Sequence, residues 1–587
     1  MTSELVNGVL ESFKEISMYT ASTAFLEALR EAGVSYIFAN LGSDHPAIIE
    51  ALAEAREAGR PVPGVITCPN EMVALSAAHG FAQATGRAQA VLVHVECGTQ
   101  SLAGAVHNAA KGRIPVLIFA GASPFTQEGE MRGSRNEFIH WIQDVFDQRG
   151  IVRGYVKYDN EIRTGKNIKQ IVYRAMQFAH SDPKGPVYLM GAREVLEEEV
   201  EPMAPDFANW APVAPSALPS AVVAGLVEDL LAARRPLVVT SYLGRNSQAV
   251  QRLVCLCQRL AVGVLESVPT HVNFPTDDPL YQGSQWNEPG QNSVLGEADL
   301  ILVVDSDVPW IPTVNKPQRG AKIYQLDVDP LKEQMPLWHI PAKCVLRADA
   351  ATALGQINER LNHASIDKEA VEARRAHYAS LHEARRAELL RREELEGDVI
   401  TPEYLTACVR QYLDRDTIIL NEGITNVGTI IDHLCLTRPG AMFSSGGGSL
   451  GWNGGAAIGV KLACPEKTVV CLTGDGTYLF SAPSAVHWIA RHYQTPFLQI
   501  IYNNRGWKAP KLSMLAVHPD GYASKAGDID VSFDPPPDYS GIAAAAGGAF
   551  AQIVRRPSEL DKALTQALNA VRHERRCAVL DVWLPHL

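Results

Sequence analysis

The chain has 587 residues, 46% apolar and 20% charged, with a formal net charge of −12. At about 150 residues per domain, that length exceeds one core and calls for three or four. Acids and bases are interspersed, so the concentrated basic face that nucleic-acid binding needs is missing. No segment reaches the ~20 consecutive apolar residues of a membrane span.

The N-terminal stretch carries Glu4, Glu11, Lys14 and Glu15 and does not read as a signal peptide. The ten cysteines are scattered without a Cys-x-x-Cys pair and read as small buried hydrophobes in a reducing, cytoplasmic setting.

In chain order, residues 23–31 predict a helix, 34–39 a strand and 46–58 a helix. Residues 88–95, 114–120 and 185–189 predict short buried strands rich in β-branched and apolar residues. This βαβ rhythm implies a parallel sheet covered by helices. Pro202, Pro205, Pro212, Pro215 and Pro219 break regular structure and mark a linker. A second block has strands at 236–240, 300–305 and 322–327, and the charged stretch 366–396 predicts a solvated connecting helix. A third block has strands at 417–420, 468–473 and 497–502. The expected fold is α/β: three consecutive α/β domains with parallel sheets. They span residues 1–195, 220–358 and 401–587, joined by a linker at 196–219 and a helical connector at 359–400.

The third block carries the most informative motif. The strand at 468–473 runs into Gly474-Asp475-Gly476-Thr477, and the strand at 497–502 runs into Asn503-Asn504. Each is an ordinary turn when taken alone. One βα crossover separates them, so both fall at the same edge of a parallel sheet, where such sheets place ligands. The glycines allow close backbone approach to an anion. Asp475 offers a hard carboxylate oxygen suited to magnesium or calcium. Asp475, an Asn side chain and loop carbonyls together can bind a divalent ion that holds a diphosphate.

Gly-Asp-Gly, about two dozen residues and then Asn-Asn resembles the hallmark of thiamine diphosphate enzymes. The whole chain resembles the acetohydroxyacid synthase, pyruvate oxidase and benzoylformate decarboxylase superfamily, acetolactate synthase-like members above all. The resemblance implies pyrimidine-binding, central and diphosphate-binding domains in that order. It makes Asp475, Asn504 and the Gly506 carbonyl ligands of Mg2+. It places Gly476, Thr477, Gly423 and Thr425 at the diphosphate.

In the glycine-rich run 444–459, Gly448 resembles the residue whose carbonyl meets the cofactor's 4′-amino group. Leu450 resembles the apolar wedge that bends the cofactor into a V. The family often has Leu-Pro where Gly454-Gly455 stand, and this departure is expected to loosen the helix start. Upstream, Cys68-Pro69-Asn70-Glu71 and the run Ala77 through Gly86 resemble the family's glutamate segment. Glu71 then corresponds to the catalytic glutamate that bonds pyrimidine N1′ and promotes ylide formation. In the family it faces the metal site across two subunits, which implies a homodimer, possibly a dimer of dimers.

The resemblance implies a decarboxylase or carboligase acting on a 2-oxoacid or related carbonyl substrate. The alternatives are a 2-hydroxyacyl-CoA lyase or oxalyl-CoA decarboxylase type and a catalytically silent regulatory homologue. Gln143, Trp507 and Lys508 are candidate substrate residues. The stretch to about residue 537 reads as a mobile lid, with Lys508 and Lys511 as anion-attracting groups. The central domain resembles the flavin-carrying one of acetohydroxyacid synthases, but residues 281–286 depart from the flavin pattern, so FAD is not expected.

Overall fold

The computed structural model describes residues 19–287, 289–526 and 529–587. They form three six-stranded sheets in which every ladder is parallel. The first sheet contains β1 (Tyr36–Ala39), β2 (Gly64–Thr67), β3 (Ala90–Val93), β4 (Val116–Ala122), β5 (Tyr158–Ile162) and β6 (Pro186–Ala192), in the order β2-β1-β3-β4-β6-β5. The central sheet contains β7 (Pro236–Thr240), β8 (Gly263–Ser267), β9 (Tyr281–Gln285), β10 (Leu300–Val304), β11 (Lys322–Asp327) and β12 (Cys344–Arg347), in the order β12-β11-β10-β7-β8-β9. The third contains β13 (Thr417–Glu422), β14 (Met442–Phe443), β15 (Thr468–Gly474), β16 (Leu498–Asn503), β17 (Phe550–Val554) and β18 (Ala578–Trp583), in the order β14-β13-β15-β16-β18-β17. The first and third sheets therefore share one topology.

Two helices join those outer domains. Helix α1 (Glu71–Thr85) packs on α2 (Trp452–Ala463), and glycines set the distance between them. A Cβ on Gly459 would lie 1.8 Å from the Ala77 carbonyl oxygen, and one on Gly80 would lie 2.3 Å from that of Ala456. Here the expectation of a loosened helix start fails. Gly455 is where α1 comes close, since a Cβ there would meet the Ser76 side chain at 2.7 Å. The helix starts in order because other groups hold it, as described below.

Two further expectations are corrected. The connecting helix, Lys368–Arg392, is solvated on one side only; it buries Val371, Arg374, Tyr378 and His382 against the central domain, with the Tyr378 hydroxyl donating to the Pro236 carbonyl at 2.8 Å. Cys68, Cys257, Cys471 and Cys577 are buried as expected, but Cys97, Cys255 and Cys435 are exposed. Among the described residues no helix is long and apolar enough to cross a membrane.

Candidate active site

The site grows from the third sheet. β13, β15 and β16 are parallel neighbours, so their C-terminal ends open on one side. β15 leads directly into the short helix α3 (Asp475–Phe480). Gly474 pairs with Tyr502 on β16, so the chain after that strand returns Asn504 beside Asp475.

Asp475 is buried. Its Oδ1 accepts from the Gly476 N–H at 2.8 Å and its Oδ2 from the Gly506 N–H at 2.9 Å. Burial pushes the carboxyl up to about 6, and the nearby Asp581 charge acts in the same direction. The Asn504 amide oxygen stands 3.2 Å from Asp475 Oδ2 and 2.8 Å from the Gly506 carbonyl oxygen. Three acceptor oxygens thus converge, although a half-turn of the amide would let it donate to both. Adjacent ligands of an octahedral Mg2+ with bonds of about 2.1 Å lie about 3 Å apart, so the observed spacing fits such an ion. Among the described residues no group of three or more His, Cys, Asp or Glu is placed to hold a metal. The donor set is instead one carboxylate, one amide and one carbonyl, all hard oxygens.

These groups open on a cleft of about 320 Å³. Gly423 and Thr425 line it from the loop after β13, and Gly448 and Leu450 from the glycine-rich turn before α2. Gly476 and Thr477 of α3, together with Trp507 and Lys508, complete the wall. The Trp507 indole lies over Gly476, where a Cβ would meet its Nε1 at 2.6 Å, and it packs edge-on against Phe533. The expected lid is partly helical, with helices Lys508–Val517 and Tyr522–Lys525; residues 527–528 lie outside the described residues. Lys511 donates to the Leu587 carbonyl at 3.2 Å, an intramolecular partner for a group read as anion-attracting.

Glu71 and Gln143 lie elsewhere. Glu71 opens α1, whose N-terminus is capped by Asn70, and its Oε1 is 3.5 Å from where a Cβ on Gly98 would lie. It therefore faces the helix Val95–Ser101 that follows β3 and does not line the cleft. The residue before that helix, His94, belongs to a pair that sequence reasoning missed. His94 Nδ1 meets Asp44 Oδ1 at 2.6 Å, and the Val95 N–H donates to Asp44 Oδ2 at 3.0 Å. Gly42 and Gly121 make room for it, since a Cβ on either would lie within about 2 Å of His94 Nδ1 or Asp44 Oδ2 respectively.

The bond to Asp44 raises the His94 pKa against burial. Burial alone would raise the Asp44 carboxyl, but the imidazoles of His45 and His94 hold it well below the usual carboxylate range. Gln143 sits beside His94. It is only 2% exposed, so it is not a solvated surface residue. Ser43 Oγ beside Asp44 is buried without a hydrogen-bond partner. The available signal was weak: His94 directly follows the apolar strand β3, but Asp44 stands five residues past β1, and only the pairing of β1 with β3 brings them together.

The central sheet has its topological switch point between β7 and β10. Past the ends of β10 and β11, Arg113, Asp307 and Lys332 line a cleft of about 430 Å³ and are tied to one another. Lys332 is 1% exposed and reaches Asp307 at 2.8 Å and Asp327 at 2.5 Å. Arg113, from the first domain, grips Asp307 with two bonds, and Tyr242 packs among them.

Comparison with known proteins agrees with this geometry. Residues 19–151, 223–357 and 423–582 match the N-terminal TPP-binding, central and C-terminal TPP-binding domains of thiamine pyrophosphate enzymes. The chain is 27% identical to benzoylformate decarboxylase of Pseudomonas aeruginosa, over 94% of this chain and 98% of that protein. It is 23% identical to the acetolactate synthase large subunit of Haemophilus influenzae, over 82% and 81% respectively. Among solved structures, the 4-hydroxybenzoylformate decarboxylase of Rhodococcus jostii superposes with a TM-score of 0.75 at 20% identity, covering 97% of this chain and 99% of that one. The three domain matches run in the order of the three sheets, and the chain belongs to the thiamine pyrophosphate enzymes.

Proposed function

We propose that this enzyme is a Mg2+-dependent decarboxylase of a 2-oxoacid, able to pass the remaining acyl unit to a second carbonyl. The observation that carries the reading is the convergence of the Asp475 carboxylate, the Asn504 amide and the Gly506 carbonyl on the cleft. Bound thiamine diphosphate supplies the electron sink that lets a bond beside a carbonyl break.

The chain's own residues do the rest. Asp475, Asn504 and the Gly506 carbonyl hold the cation. Gly423, Thr425, Gly476 and Thr477 contact the diphosphate, the Gly448 carbonyl meets the amino group, and Leu450 supports the bend. Glu71 holds a proton at the pyrimidine edge. His94, whose pKa the bond to Asp44 raises, receives the substrate carboxylate together with Gln143 and Ser43. Trp507 and Lys508 close the substrate side.

Glu71 is outside the cleft of its own chain, so a complete site requires a second copy. Exposed apolar side chains support such a contact on both halves: Phe138, Ile142 and Phe146 on the first domain, and Phe480 and Trp507 on the third. The test is single-turnover consumption of a panel of 2-oxoacids by protein loaded with thiamine diphosphate and Mg2+. Consumption of acyl-CoA substrates in place of 2-oxoacids would sink the reading.

A further inference from the structure

The turn that offers Gly448 and Leu450 to the cleft cannot hold its own shape. It lies in the run Ser444 through Gly451, where four of eight residues are glycine. Gly446 and Gly451 have φ of 78° and 92°. Such a segment loses much conformational freedom on ordering and has few side chains with which to pack. Its order must come from outside, and two buried residues distant in sequence supply it.

On one side stands Glu422, the last residue of β13 and 4% exposed. Its Oε1 accepts from the Gly451 N–H at 2.9 Å and the Trp452 N–H at 3.1 Å, and its Oε2 from the Asn453 N–H at 2.8 Å. No side chain within the segment caps α2, so this carboxylate takes the free amides of the helix start. The next residue, Gly423, belongs to the loop lining the opposite wall of the cleft. On the other side, Asn108 of helix Ala103–Lys111 is 1% exposed. Its Oδ1 accepts from the Ser449 N–H at 3.0 Å and its Nδ2 donates to the Ser449 carbonyl at 2.9 Å.

We propose that Glu422 and Asn108 are positioning residues that clamp the turn at 448–453 from both sides, so that the aminopyrimidine end of the cofactor meets a preformed cradle. The inference rests on the thiamine diphosphate reading above and adds to it. Glu422 ties the pyrimidine turn to the diphosphate loop, and Asn108 ties it to the domain that bears Glu71. Burial pushes the Glu422 carboxyl up to about 7 against the pull of its three amides, with the Cys471 thiol facing it from β15. The clamp is therefore maintained at an electrostatic cost, as function-driven groups often are.

The test uses full-length Glu422→Gln and Asn108→Ala. The amide of Glu422→Gln can still accept two N–H groups but turns its own NH2 toward the Asn453 N–H. Three quantities are read: amide hydrogen exchange across 448–453 without cofactor, thiamine diphosphate affinity with Mg2+, and the rate at which the cofactor's C2 proton exchanges for deuterium at saturation. Each variant should exchange faster in that segment while the later turns of α2 stay protected, bind the cofactor about tenfold more weakly, and show C2 exchange slowed by at least about tenfold. A purely structural role would lower the melting temperature without slowing C2 exchange at saturation. Unchanged affinity and C2 exchange in both variants, with the wild type binding normally, would overturn the clamp. Failure of the wild type to bind would overturn the functional reading itself. Should one variant fail to fold, the other carries the test.

Discussion

The Asn504 side-chain amide lies 3.2 Å from Asp475 Oδ2 and 2.8 Å from the Gly506 carbonyl oxygen, although Asp475 and Asn504 lie at the ends of two different strands. With its NH2 inward the amide donates to both oxygens; turned the other way it offers a third hard oxygen to a cation. Thiamine diphosphate with Mg2+ should therefore raise the melting temperature, and a chelator should reverse the gain. At a hundredfold excess over Kd the stabilisation is about 2.7 kcal/mol by mass action. Asp475→Ala should abolish the shift, as read by calorimetry with and without Mg2+; a full shift in that variant would remove Asp475 from the cation site.

In the proposed dimer, Glu71 and Asp475 of one chain serve different sites. Glu71→Gln alone should keep cofactor affinity and lose about a hundredfold or more of turnover, the scale of a lost proton-transfer group. Mixed with Asp475→Ala by co-expression, it should regain about a quarter of wild-type activity: with random pairing half the dimers are mixed, and each has one intact site. Steady-state rates of the purified mixture decide. No recovery beyond the two parents would place both residues in a site built from a single chain.

The Asp44–His94 pair makes a pH prediction. The His94 pKa is raised, so its contribution to stability is fully present below the ordinary imidazole value of about 6.5 and is lost as pH rises through its folded value. Activity that needs the imidazolium should fall along the same alkaline limb. Asp44→Asn removes the largest raising influence and leaves burial, which lowers the pKa. The limb should then move to lower pH, and the 13C-labelled His94 resonance should titrate with it. A kcat/KM profile unchanged by Asp44→Asn would exclude His94 as the group responsible.

Gly459→Ala should destabilise the fold by roughly 1–3 kcal/mol, because its Cβ would meet the Ala77 backbone oxygen at 1.8 Å and α1 would have to move away from α2. The contrasting variant is Gly225→Ala, in helix Ser220–Ala232, where a Cβ meets nothing within 4 Å. It should stabilise by about 0.5–1 kcal/mol. Urea midpoints of the two variants should move in opposite directions.

The amino-acid sequence by itself determined the inner framework and the chemistry of one half-site. β1, β3, β4, β6, β7, β10, β11, β13, β15 and β16 are all inner strands, and all were legible. Strands of a parallel sheet buried on both faces read as continuous apolar runs. The strands that escaped include the edges of every described sheet: β2, β5, β9, β12, β14 and β17. They are short or polar, as in the Tyr-Asp-Asn-Glu-Ile of β5, because an edge has one neighbour and more water. The inner strands β8 and β18 escaped as well, interrupted by the buried Glu266 and Asp581.

The opening metal motif was legible because both halves end adjacent strands one crossover apart. Strand order alone decided what could not be seen along the chain. It set Gly448 and Leu450 in the same cleft as Asp475, left Glu71 outside it, and brought Asp44 to His94 and Glu422 to the start of α2. These pairings join residues about 30 to 50 positions apart, and hydropathy periodicity carries no record of which strand lies beside which.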